Sequence, residues 1–491
     1  MELGVGGSNP PCCTIKMVKE KKLKPSKDLP LGFVDRQEKE LLIRDFVISN
    51  IKEVMINYGF QYLETPSFEY TDSIGKFLHD KERPDEGVFY FKDGKNWLSL
   101  RYDLTAPLAR YVAKNYLELP KPFKRYQLGT VWRNEKPGPG RYREFLQFDA
   151  DYIATGNLIA DAELCAMISE ILKKCGLTEK DFTIKFSSRK VLDKLFEYIK
   201  VNSAETRLKI LRSLDKVDRL GWKEVEKLLG KGRKDLSGDF TEGAGLTEIQ
   251  INEIKEQLNY EGKKITITNP SADGKTYDFD QWSKKWGEKE VEPVSNEFIE
   301  FEECLTSFGL KNCIFDPTII RGLEYYTGLV FEVNLNFEVR NPKGQVVKFG
   351  SVGGGGRYDN LVSNFGKGID CPATGISIGI DRLVFALIQK KDFKIKIIRP
   401  VIICVFDQLQ NDKYIKILKK LRASGISSEI YPGEGKLKKQ MEYANKIGSP
   451  AVILYGDDEI KSGKATLKSL ETGNESSVKV EDLANEIKKL L

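Results

Sequence analysis

The chain of 491 residues is long enough for about three domains of ordinary size. Lysine and arginine number 78 against 72 aspartate and glutamate, and a net charge of +6 does not by itself indicate a nucleic-acid-binding protein. The single histidine, His79, excludes metal sites that need several histidines, and a catalytic triad would have to be built on that one residue. Its charged neighbours favour a solvated loop position instead.

The cysteine spacing and the hydropathy pattern bear on location. The eight cysteines show no C-x-x-C spacing, which fits a reducing compartment better than a disulfide framework or a zinc site. No apolar run approaches the roughly 18 residues of a membrane span, and the chain does not begin with a signal-peptide core. We therefore expect a cytoplasmic protein that is not associated with a membrane.

The N-terminal part of the chain predicts a tail and then a helix. Residues 1–27 carry glycine, proline and many lysines, which is typical of a basic, disordered tail. Apolar residues at helical spacing predict a helix from Asp35 to Tyr58, and Gly59 ends it. An extended piece then leads to Pro66. This arrangement either packs a core or builds a symmetric dimer interface.

A predicted hairpin follows, with a turn at Asp93-Gly94 between two aromatic-rich runs. It leads into a helix that begins near Thr105. The side chains of Asp103 and Thr105 either cap that helix or serve a binding site, and the sequence leaves both interpretations open.

The most informative stretch is a second, longer hairpin, from Lys124 to Tyr152, with a wide tip at Pro137-Gly138-Pro139-Gly140. Successive side chains of a strand point to opposite faces. One face of the second strand therefore carries two arginines, an aromatic ring, an amide and two carboxylates: Arg141, Arg143, Phe145, Gln147, Asp149 and Asp151. A half-buried edge hairpin with a wet face is one interpretation. The other is a pocket that binds both an anionic and a cationic group.

The remaining elements divide into three regions. A helix from Asp161 to Lys174 and a strand from Phe182 to Phe186 continue the first region. Residues 189–297 are dense in lysine and glutamate and predict an inserted helical module. Its predicted helices are 204–214, 222–229 and 247–258. Strands are then predicted at 313–316, 325–337, 346–352 and 374–380, the last entering a helix at Asp381-Arg382.

The C-terminal region alternates between strands and helices. The predicted order is strand 401–406, helix 411–424, strand 427–431, helix 436–447 and strand 451–455. Such alternation is typical of a small α/β domain with a mostly parallel sheet.

Three arginines and a glycine run are candidates for binding a triphosphate. Arg133, Arg321 and Arg382 stand at strand ends or strand-to-helix junctions, where their planar guanidinium groups suit phosphate oxygens. Singly, each one also fits a surface or structural position. The run Gly353 to Gly356 permits close approach of a ligand, or it forms an ordinary glycine turn. Neither a dinucleotide fingerprint nor a P-loop motif is present, so a triphosphate site here must have another architecture.

At this point five segments together resemble one family, the histidyl-tRNA synthetases, which are class II aminoacyl-tRNA synthetases. RGLEYYTGLVFEV (Arg321–Val333) and GSVGGGGRYDNLV (Gly350–Val362) are similar to its two histidine signatures. Class II motif 1 resembles the helix and strand ending at Pro66. Motif 2 resembles VWRNEKPGPGRYREFLQFD in the long hairpin, and motif 3 resembles GISIGIDRLVFAL (Gly375–Leu387).

The resemblance implies an α/β multidomain architecture. The class II catalytic domain, an antiparallel β-sheet flanked by helices, would comprise residues 28–188 and 298–397. The helical insertion would span 189–297, and a C-terminal α/β anticodon-binding domain would span 398–491. A homodimer would form through the motif 1 region.

The resemblance also implies a reaction. The enzyme would activate L-histidine with ATP to histidyl-adenylate and pyrophosphate, and would then transfer the histidyl group to the 3′ end of tRNA(His). Mg²⁺ would accompany the ATP, with no other metal implied.

Carried over position by position, the resemblance implies roles for individual residues. The ATP site would consist of Arg133, Glu135, Arg141, Phe145 and Arg382. The histidine site would consist of Asp103, Thr105, Gln147, Asp151, Arg321, Tyr325, Tyr326 and Tyr358. Arg133 and Arg321 would be catalytic. Two departures from the family pattern, Glu324 for Asp and Asp151 for the bacterial Glu, each keep a carboxylate. Arg143 and Asp149 receive no role.

Two alternative functions remain open from the sequence. The first is a synthetase-like paralogue that senses histidine without charging tRNA. Such relatives typically lose active-site residues or the C-terminal domain, whereas this chain keeps Arg133, Arg321, Arg382 and Gln147. The second is a class II synthetase for another amino acid. A class I synthetase is disfavoured because its H-I-G-H motif needs two histidines.

Overall fold

The computed structural model describes residues 26–75, 87–234, 238, 240–258, 288–320, 325–347, 349–366 and 368–491. The predictions for His79, Arg321, Glu324 and nearly all of the 1–27 tail lie outside these residues. The chain divides into two compact units, one up to Phe393 and the other from Lys394.

The first unit contains short and long strands in chain order. They are β1 (Gln61–Tyr62), β2 (Phe68–Tyr70), β3 (Tyr90–Asp93), β4 (Asn96–Leu100), β5 (Phe123–Trp132), β6 (Glu144–Ile153), β7 (Phe182–Ser188), β8 (Gly232–Lys234), β9 (Phe240–Glu242), β10 (Cys313–Phe315), β11 (Leu329–Leu335), β12 (Val339–Arg340), β13 (Val346–Val347), β14 (Ser351–Arg357) and β15 (Ala373–Gly379).

The helices of this unit lie between those strands. They are α1 (Glu38–Asn57), α2 (Thr71–Gly75), α3 (Thr105–Asn115), α4 (Leu158–Lys174), α5 (Arg189–Tyr198), α6 (Ala204–Leu214), α7 (Val217–Leu220), α8 (Trp222–Leu229), α9 (Glu248–Leu258), α10 (Glu288–Ser307) and α11 (Ile380–Gln389). One 3₁₀ turn spans Val362–Phe365.

A sheet of eight described strands organises the first unit, in the order β1-β5-β6-β15-β14-β11-β7-β10. The five pairings from β5 to β7 are antiparallel, while β1 and β10 pair in parallel at the two edges. The predicted class II sheet, antiparallel and flanked by helices, is thereby confirmed. The predicted long hairpin is β5–β6, in register from Trp132↔Glu144 to Phe123↔Ile153.

One face of this sheet is apolar and carries the long helices. An added Cβ at Gly353 would lie 3.1 Å from Ile168 of α4, and Ile378 and Phe148 occupy the same cross-strand row. Helix α4 begins at Leu158, three residues before the predicted start, because the Asn157 side chain accepts a hydrogen bond from the amide of Ile159. The opposite face is polar.

The glycine run lies in β14, inside the sheet, so the interpretation as a flexible turn is wrong. The physical reason is the closeness of the neighbouring backbones. A Cβ at Gly355 would lie 1.9 Å from the carbonyl oxygen of Gly375, and one at Gly356 would lie 2.5 Å from that of Leu329. Any larger residue at these positions would have to displace the neighbouring strands.

The inserted helices share a core of their own. Helices α6 and α8 match the predicted bounds, and α9 begins one residue late. The core is formed by Leu192, Leu195, Phe196, Ile210, Leu211, Leu214, Val225, Leu229, Ile251 and Ile254, among others. The hairpin β8–β9 was not predicted, and residues 259–287 lie outside the described chain. The expected boundary after residue 297 falls within α10.

The second unit contains the strands β16 (Val401–Ile403), β17 (Ser428–Ile430), β18 (Ala451–Leu454), β19 (Lys464–Ser469) and β20 (Glu475–Lys479). Its helices are α12 (Asn411–Ala423), α13 (Leu437–Lys446), α14 (Asp457–Ser462) and α15 (Leu483–Leu490), with a 3₁₀ turn at Gln408–Gln410. The sheet order is β17-β16-β18-β19-β20, parallel among the first three and antiparallel beyond. The predicted parallel α/β part is confirmed, and everything after residue 455 was missed.

Within the described parts of both units, none of the helices combines the length and the apolar character that crossing a membrane requires.

Candidate active site

The polar face of the sheet brings together three cross-strand rows of small and charged residues. Asp151 lies in one row with Gly375 and Gly356. Asp149 lies in the next row with Ser377, and Gln147 in the third. The predicted alternation along β6 is therefore observed: Gln147, Asp149 and Asp151 share one face, and all three are buried.

Asp151 has contacts with the two strands that flank β6 and with the residue that follows β14. Its Oδ1 accepts a hydrogen bond of 2.5 Å from the Tyr358 hydroxyl, and its Oδ2 lies 3.2 Å from a terminal nitrogen of Arg125. The carboxylate also extends over Gly375, where an added Cβ would lie 2.0 Å from Oδ1. Burial raises the pKa of Asp151 to about 7; Arg125 opposes this rise and Asp149 adds to it.

Three tyrosines border this carboxylate on the same side of the sheet. The ring of Tyr326 lies over Gly356, since a Cβ there would be 3.0 Å from Tyr326 Cδ1. The ring centroid of Tyr325 lies 4.8 Å from that of Tyr326 and 5.8 Å from that of Tyr358. Tyr326 and Asp151 therefore lie above neighbouring glycines of adjacent strands. The two glycines therefore leave the space on this face to the Tyr326 ring and the Asp151 carboxylate.

A hydrogen-bond network connects Gln147 and Thr105 through Asp149. Gln147 Nε2 donates to Asp149 Oδ1 at 2.7 Å, and Thr105 Oγ1 donates to Asp149 Oδ2 at 3.3 Å. Asp103 Oδ1 accepts from the amides of Thr105 and Ala106 at 3.2 and 2.9 Å, so the helix-cap interpretation holds for Asp103. Burial raises the pKa of both Asp103 and Asp149. Buried carboxylates in this number favour a cationic ligand such as an ammonium group.

The other end of the same face is positive. The pKa of Arg382 is lowered to about 10 by burial and by the nearby guanidinium groups of Arg141 and Arg133, while Glu332 opposes the shift. The guanidinium of Arg382 lies 4.6 Å from the ring centroid of Phe349, and its buried Nε has no hydrogen-bond partner within the described chain. Three guanidinium groups at one end of the face repel one another, and binding of a polyanion would relieve this repulsion.

Arg133 lies close to two aromatic rings at this positive end. Its guanidinium lies 4.5 Å from the ring centroid of Tyr102 and 5.3 Å from that of Phe145, and its Nε donates to the Tyr102 carbonyl. The Tyr102 hydroxyl donates to Glu135 at 2.5 Å. Arg141 is exposed at the hairpin tip, next to the bridge that it forms with Gly138.

The two residues without a predicted role have defined contacts. Asp149 is the acceptor at the centre of the network described above. Arg143 braces the hairpin: its amide donates to the Gly32 carbonyl at 2.9 Å and its Nε donates to the Glu135 carbonyl at 3.1 Å.

Sequence reasoning missed several residues that shape the site. Asp381 accepts hydrogen bonds of 2.5 Å from both Arg36 Nε and the Leu146 amide, and thereby connects the start of α11 to β6. Arg125 lies fully buried beneath Asp151. The sequence carries no clear signal for Arg125, because it stands between Lys124 and Gln127 in a strand that already contains polar residues.

A first prediction concerns the glycine under Asp151. Replacing Gly375 by Ala should displace the Asp151 carboxylate, because the added Cβ would lie 2.0 Å from its Oδ1. We expect the affinity for a ligand that hydrogen-bonds to Asp151 to fall by about tenfold or more, because the displaced carboxylate no longer meets its buried partner. The measurement is ligand affinity by calorimetry. The matched control is Gly156→Ala, where no atom lies within 4 Å of the added Cβ; equal losses in both variants would contradict the prediction.

A second prediction concerns pH. The pKa of Asp151 rises on folding from 3.8 to about 7, so the folded state binds the proton more tightly than the unfolded chain. The resulting stabilisation is present at low pH and is lost as pH rises through about 7. The melting temperature of Asp151→Asn minus that of the wild type should therefore become more positive from pH 4 to about 7.

The control for this pH dependence is Asp316→Asn. The pKa of Asp316 is lowered despite burial, by Lys185 and Thr318, so its contribution is lost only as pH falls below 3.8. The corresponding difference for this variant should stay flat over the same range. A flat difference for Asp151→Asn would show that this carboxylate is ionised throughout.

Comparisons with known proteins agree on one family. The family model described as histidyl-tRNA synthetase matches residues 32–265 and 272–383, and an anticodon-binding-domain model matches residues 400–490. A histidine–tRNA ligase from Brucella suis is 45% identical over 463 residues, covering 92% of this chain and 90% of that protein. The crystal structure of histidyl-tRNA synthetase from Nostoc sp. PCC 7120 is 27% identical, covers 95% of this chain and all of its own, and has a TM-score of 0.68.

A further solved structure shares the fold alone. It is an ATP phosphoribosyltransferase regulatory subunit/histidyl-tRNA synthetase from Bacillus halodurans, 23% identical, covering 86% of this chain and 97% of its own, with a TM-score of 0.61.

The mixed sheet with its polar face, followed by a unit that matches an anticodon-binding model, defines an aminoacyl-tRNA synthetase with the class II fold. The histidyl-tRNA synthetase model matches well over half of the sequence. The chain belongs to the histidyl-tRNA synthetase family.

Proposed function

We propose that this chain is a histidine–tRNA ligase, which activates L-histidine with ATP and transfers the histidyl group to the 3′ end of tRNA(His). The observation that carries the proposal is the distribution of charge along one face of the motif 2 hairpin. Arg133 and Arg141 lie at its tip, with Arg382 nearby, and Asp149 and Asp151 lie at its base. Such a face accepts a triphosphate at one end and a cationic amino acid at the other.

The ATP end of the site is assigned to the arginine cluster and its neighbours. Arg133 and Arg382 bind phosphate oxygens, which supply the negative charge that their mutual repulsion favours. Glu135 and Arg141 hold the nucleotide, and Phe145 stacks on adenine in place of its present contact with Arg133. Within the described chain no group of three or more His, Cys, Asp or Glu side chains forms a metal site. The donors at this end suit phosphate, and Mg²⁺ enters with the ATP.

The histidine end is assigned to the carboxylates and tyrosines. Asp103, Thr105 and Gln147 bind the α-ammonium group; Thr105 and Gln147 are held by Asp149, and Asp103 by the amides at the start of α3. Asp151 and Tyr326 bracket the imidazole ring, with Tyr325 and Tyr358 lining the pocket. An imidazole has two ring nitrogens, and a pocket with a partner for each rejects isosteric side chains that leave those partners unpaired. Arg321 is assigned to the substrate carboxylate and the α-phosphate.

The reaction needs no side-chain nucleophile. A carboxylate oxygen of histidine attacks the α-phosphorus, the bond to the bridging oxygen breaks, and pyrophosphate leaves with the electron pair. The terminal hydroxyl of the tRNA then attacks the carbonyl carbon of the adenylate, and AMP leaves. Arg133 and Arg321 stabilise the charge that develops on the phosphoryl oxygens, which is the main contribution that a protein makes to such displacements.

We also propose a homodimer that forms through the motif 1 region. Five large aromatic side chains of β1 to β4 are between 43% and 57% exposed: Tyr62, Phe68, Tyr70, Phe91 and Trp97. Tyr62 lies in the motif 1 strand and the other four in the strands that follow it, where Phe68 and Phe91 contact each other edge to face at 5.4 Å. Exposed aromatic rings of this kind are typical of a protein–protein interface.

The domains follow from this assignment. Residues 28–188 and 298–397 form the catalytic domain, 189–297 the helical insertion, and 398–491 the anticodon-binding domain. The C-terminal unit has its own core, which supports its treatment as a separate domain. We place the enzyme in the cytoplasm, where its tRNA substrate is found; the six described cysteines are all free thiols.

The charging of tRNA separates this function from that of a histidine-sensing paralogue. We expect the full chain, given ATP and histidine, to convert tRNA(His) to its aminoacylated form, measured by acid gel electrophoresis. A tRNA with a different anticodon and acceptor end is the control. Tight histidine binding without charging would support the paralogue and contradict the proposed function.

A further inference from the structure

Arg125 lies in β5 directly opposite Asp151 and is fully buried. One terminal nitrogen of its guanidinium lies 3.2 Å from Asp151 Oδ2 and donates to the Leu104 carbonyl at 2.8 Å. Leu104 stands between Asp103 and Thr105. A single buried side chain therefore contacts both the imidazole-binding carboxylate and the loop that binds the α-ammonium group.

The groups around Asp151 favour or disfavour the ionised form of its carboxylate. Burial disfavours the ionised form of the Asp151 carboxylate, and two acidic side chains, Asp149 on β6 and Asp103 before α3, act in the same direction. Two groups oppose them, Arg125 on β5 and Tyr358 after β14. The tyrosine hydroxyl is neutral, so the positive charge that favours the ionised form comes from the Arg125 guanidinium, 3.2 Å from Oδ2.

The state of Asp151 determines what it recognises. An ionised carboxylate only accepts hydrogen bonds, whereas a protonated one also donates. With Tyr358 donating to Oδ1, an ionised Asp151 presents an acceptor to the ligand and therefore requires a ring N–H there. A protonated Asp151 would accept ligands without that N–H.

On the basis of the proposed function, we propose that Arg125 is a positioning residue for amino-acid specificity. It favours the ionised form of Asp151, which accepts from an imidazole N–H, and ties that acceptor to the segment of Asp103 and Thr105. It acts through Asp151 and Leu104 and does not touch the substrate.

The test compares Arg125→Met and Arg125→Lys with the wild type in histidine-dependent ATP–pyrophosphate exchange. We expect Arg125→Met to raise the KM for histidine by about 30-fold or more, as for loss of one partner of a buried charge pair, while the KM for ATP stays within about threefold of the wild type. Arg125→Lys keeps the charge and should recover part of the histidine affinity.

The pH profile distinguishes a positioning role from a general structural one. In Arg125→Met the acid limb of kcat/KM for histidine should move to higher pH by about one unit, because the carboxylate loses its positive neighbour. Arg125→Lys should return the limb towards the wild-type position. The titration of free histidine is common to all variants and cancels in the comparison.

A control variant measures the cost of breaking another half-buried ion pair. Lys390 lies 3.5 Å from Asp181, away from the polar face, and Lys390→Met should leave the KM for histidine within about twofold of the wild type, as expected for a distant site. Equal changes in the KM for histidine and for ATP, or an unmoved acid limb in Arg125→Met, would overturn the proposal. If Arg125→Met does not fold, Arg125→Lys decides by the same two readouts. A wild type that shows no histidine-dependent exchange would refute the proposed function itself.

Discussion

Replacing Asp151 by Asn is expected to lower kcat/KM for histidine in pyrophosphate exchange by about three orders of magnitude, because an imidazole N–H loses its charged acceptor inside a buried pocket. The substitution keeps the shape of the side chain but removes the charge that faces Arg125. Most of the loss should fall on the KM for histidine. The KM for ATP should stay within about threefold, since the arginine cluster is a separate part of the face.

The control for this substitution is Asp316→Asn, which removes a carboxylate bonded to Lys185 and Thr318 near the edge of the sheet. It should cost stability and leave the KM for histidine unchanged. If Asp151→Asn were as active as Asp316→Asn, the assignment of Asp151 to the imidazole would be wrong, and a synthetase for another amino acid would gain support.

Replacing Arg382 by Met should have opposite effects on activity and on stability. Exchange activity is expected to fall by about three orders of magnitude, a loss similar to that for an essential transition-state donor. The free energy of unfolding of the ligand-free protein should increase, because the variant removes a buried guanidinium that Arg141 and Arg133 disfavour and whose Nε lacks a partner in the described chain. Lower activity together with higher stability is expected of a site whose clustered positive charges destabilise the ligand-free protein until an anion binds.

Two further variants serve as controls for Arg382→Met. Arg382→Lys retains a charge without the planar fork and should recover only part of the activity. Arg340→Met removes an exposed arginine paired with Glu338 and should change neither quantity. A loss of activity in Arg382→Met accompanied by a lower melting temperature would indicate a structural role for Arg382 instead.

The sequence predicted the features that depend on local alternation. Gln147, Asp149 and Asp151 share a face because β6 is a regular strand for ten residues, and period-two alternation needs no knowledge of the partners. The start of α4 was readable too, since Asn157 is a good N-cap residue, but the apolar pattern alone placed the start three residues late.

The features that the sequence did not predict depend on which strands become neighbours. Arg125 faces Asp151 through the β5–β6 register, and Gly375 makes room for that carboxylate only because β15 pairs with β6. The glycine run was ambiguous for the same reason. The sequence looks the same whether the glycines form a turn or lie in a crowded strand, and only the position of the neighbouring backbone distinguishes the two.

We propose that the two ends of one hairpin face bind ATP and histidine for the same reaction. The most direct test is ATP–pyrophosphate exchange by the wild-type chain with each of the twenty amino acids in turn. Exchange that depends on histidine, with no other amino acid supporting a comparable rate, is the expected result. Exchange supported best by another amino acid, or none with any of them, would contradict the account.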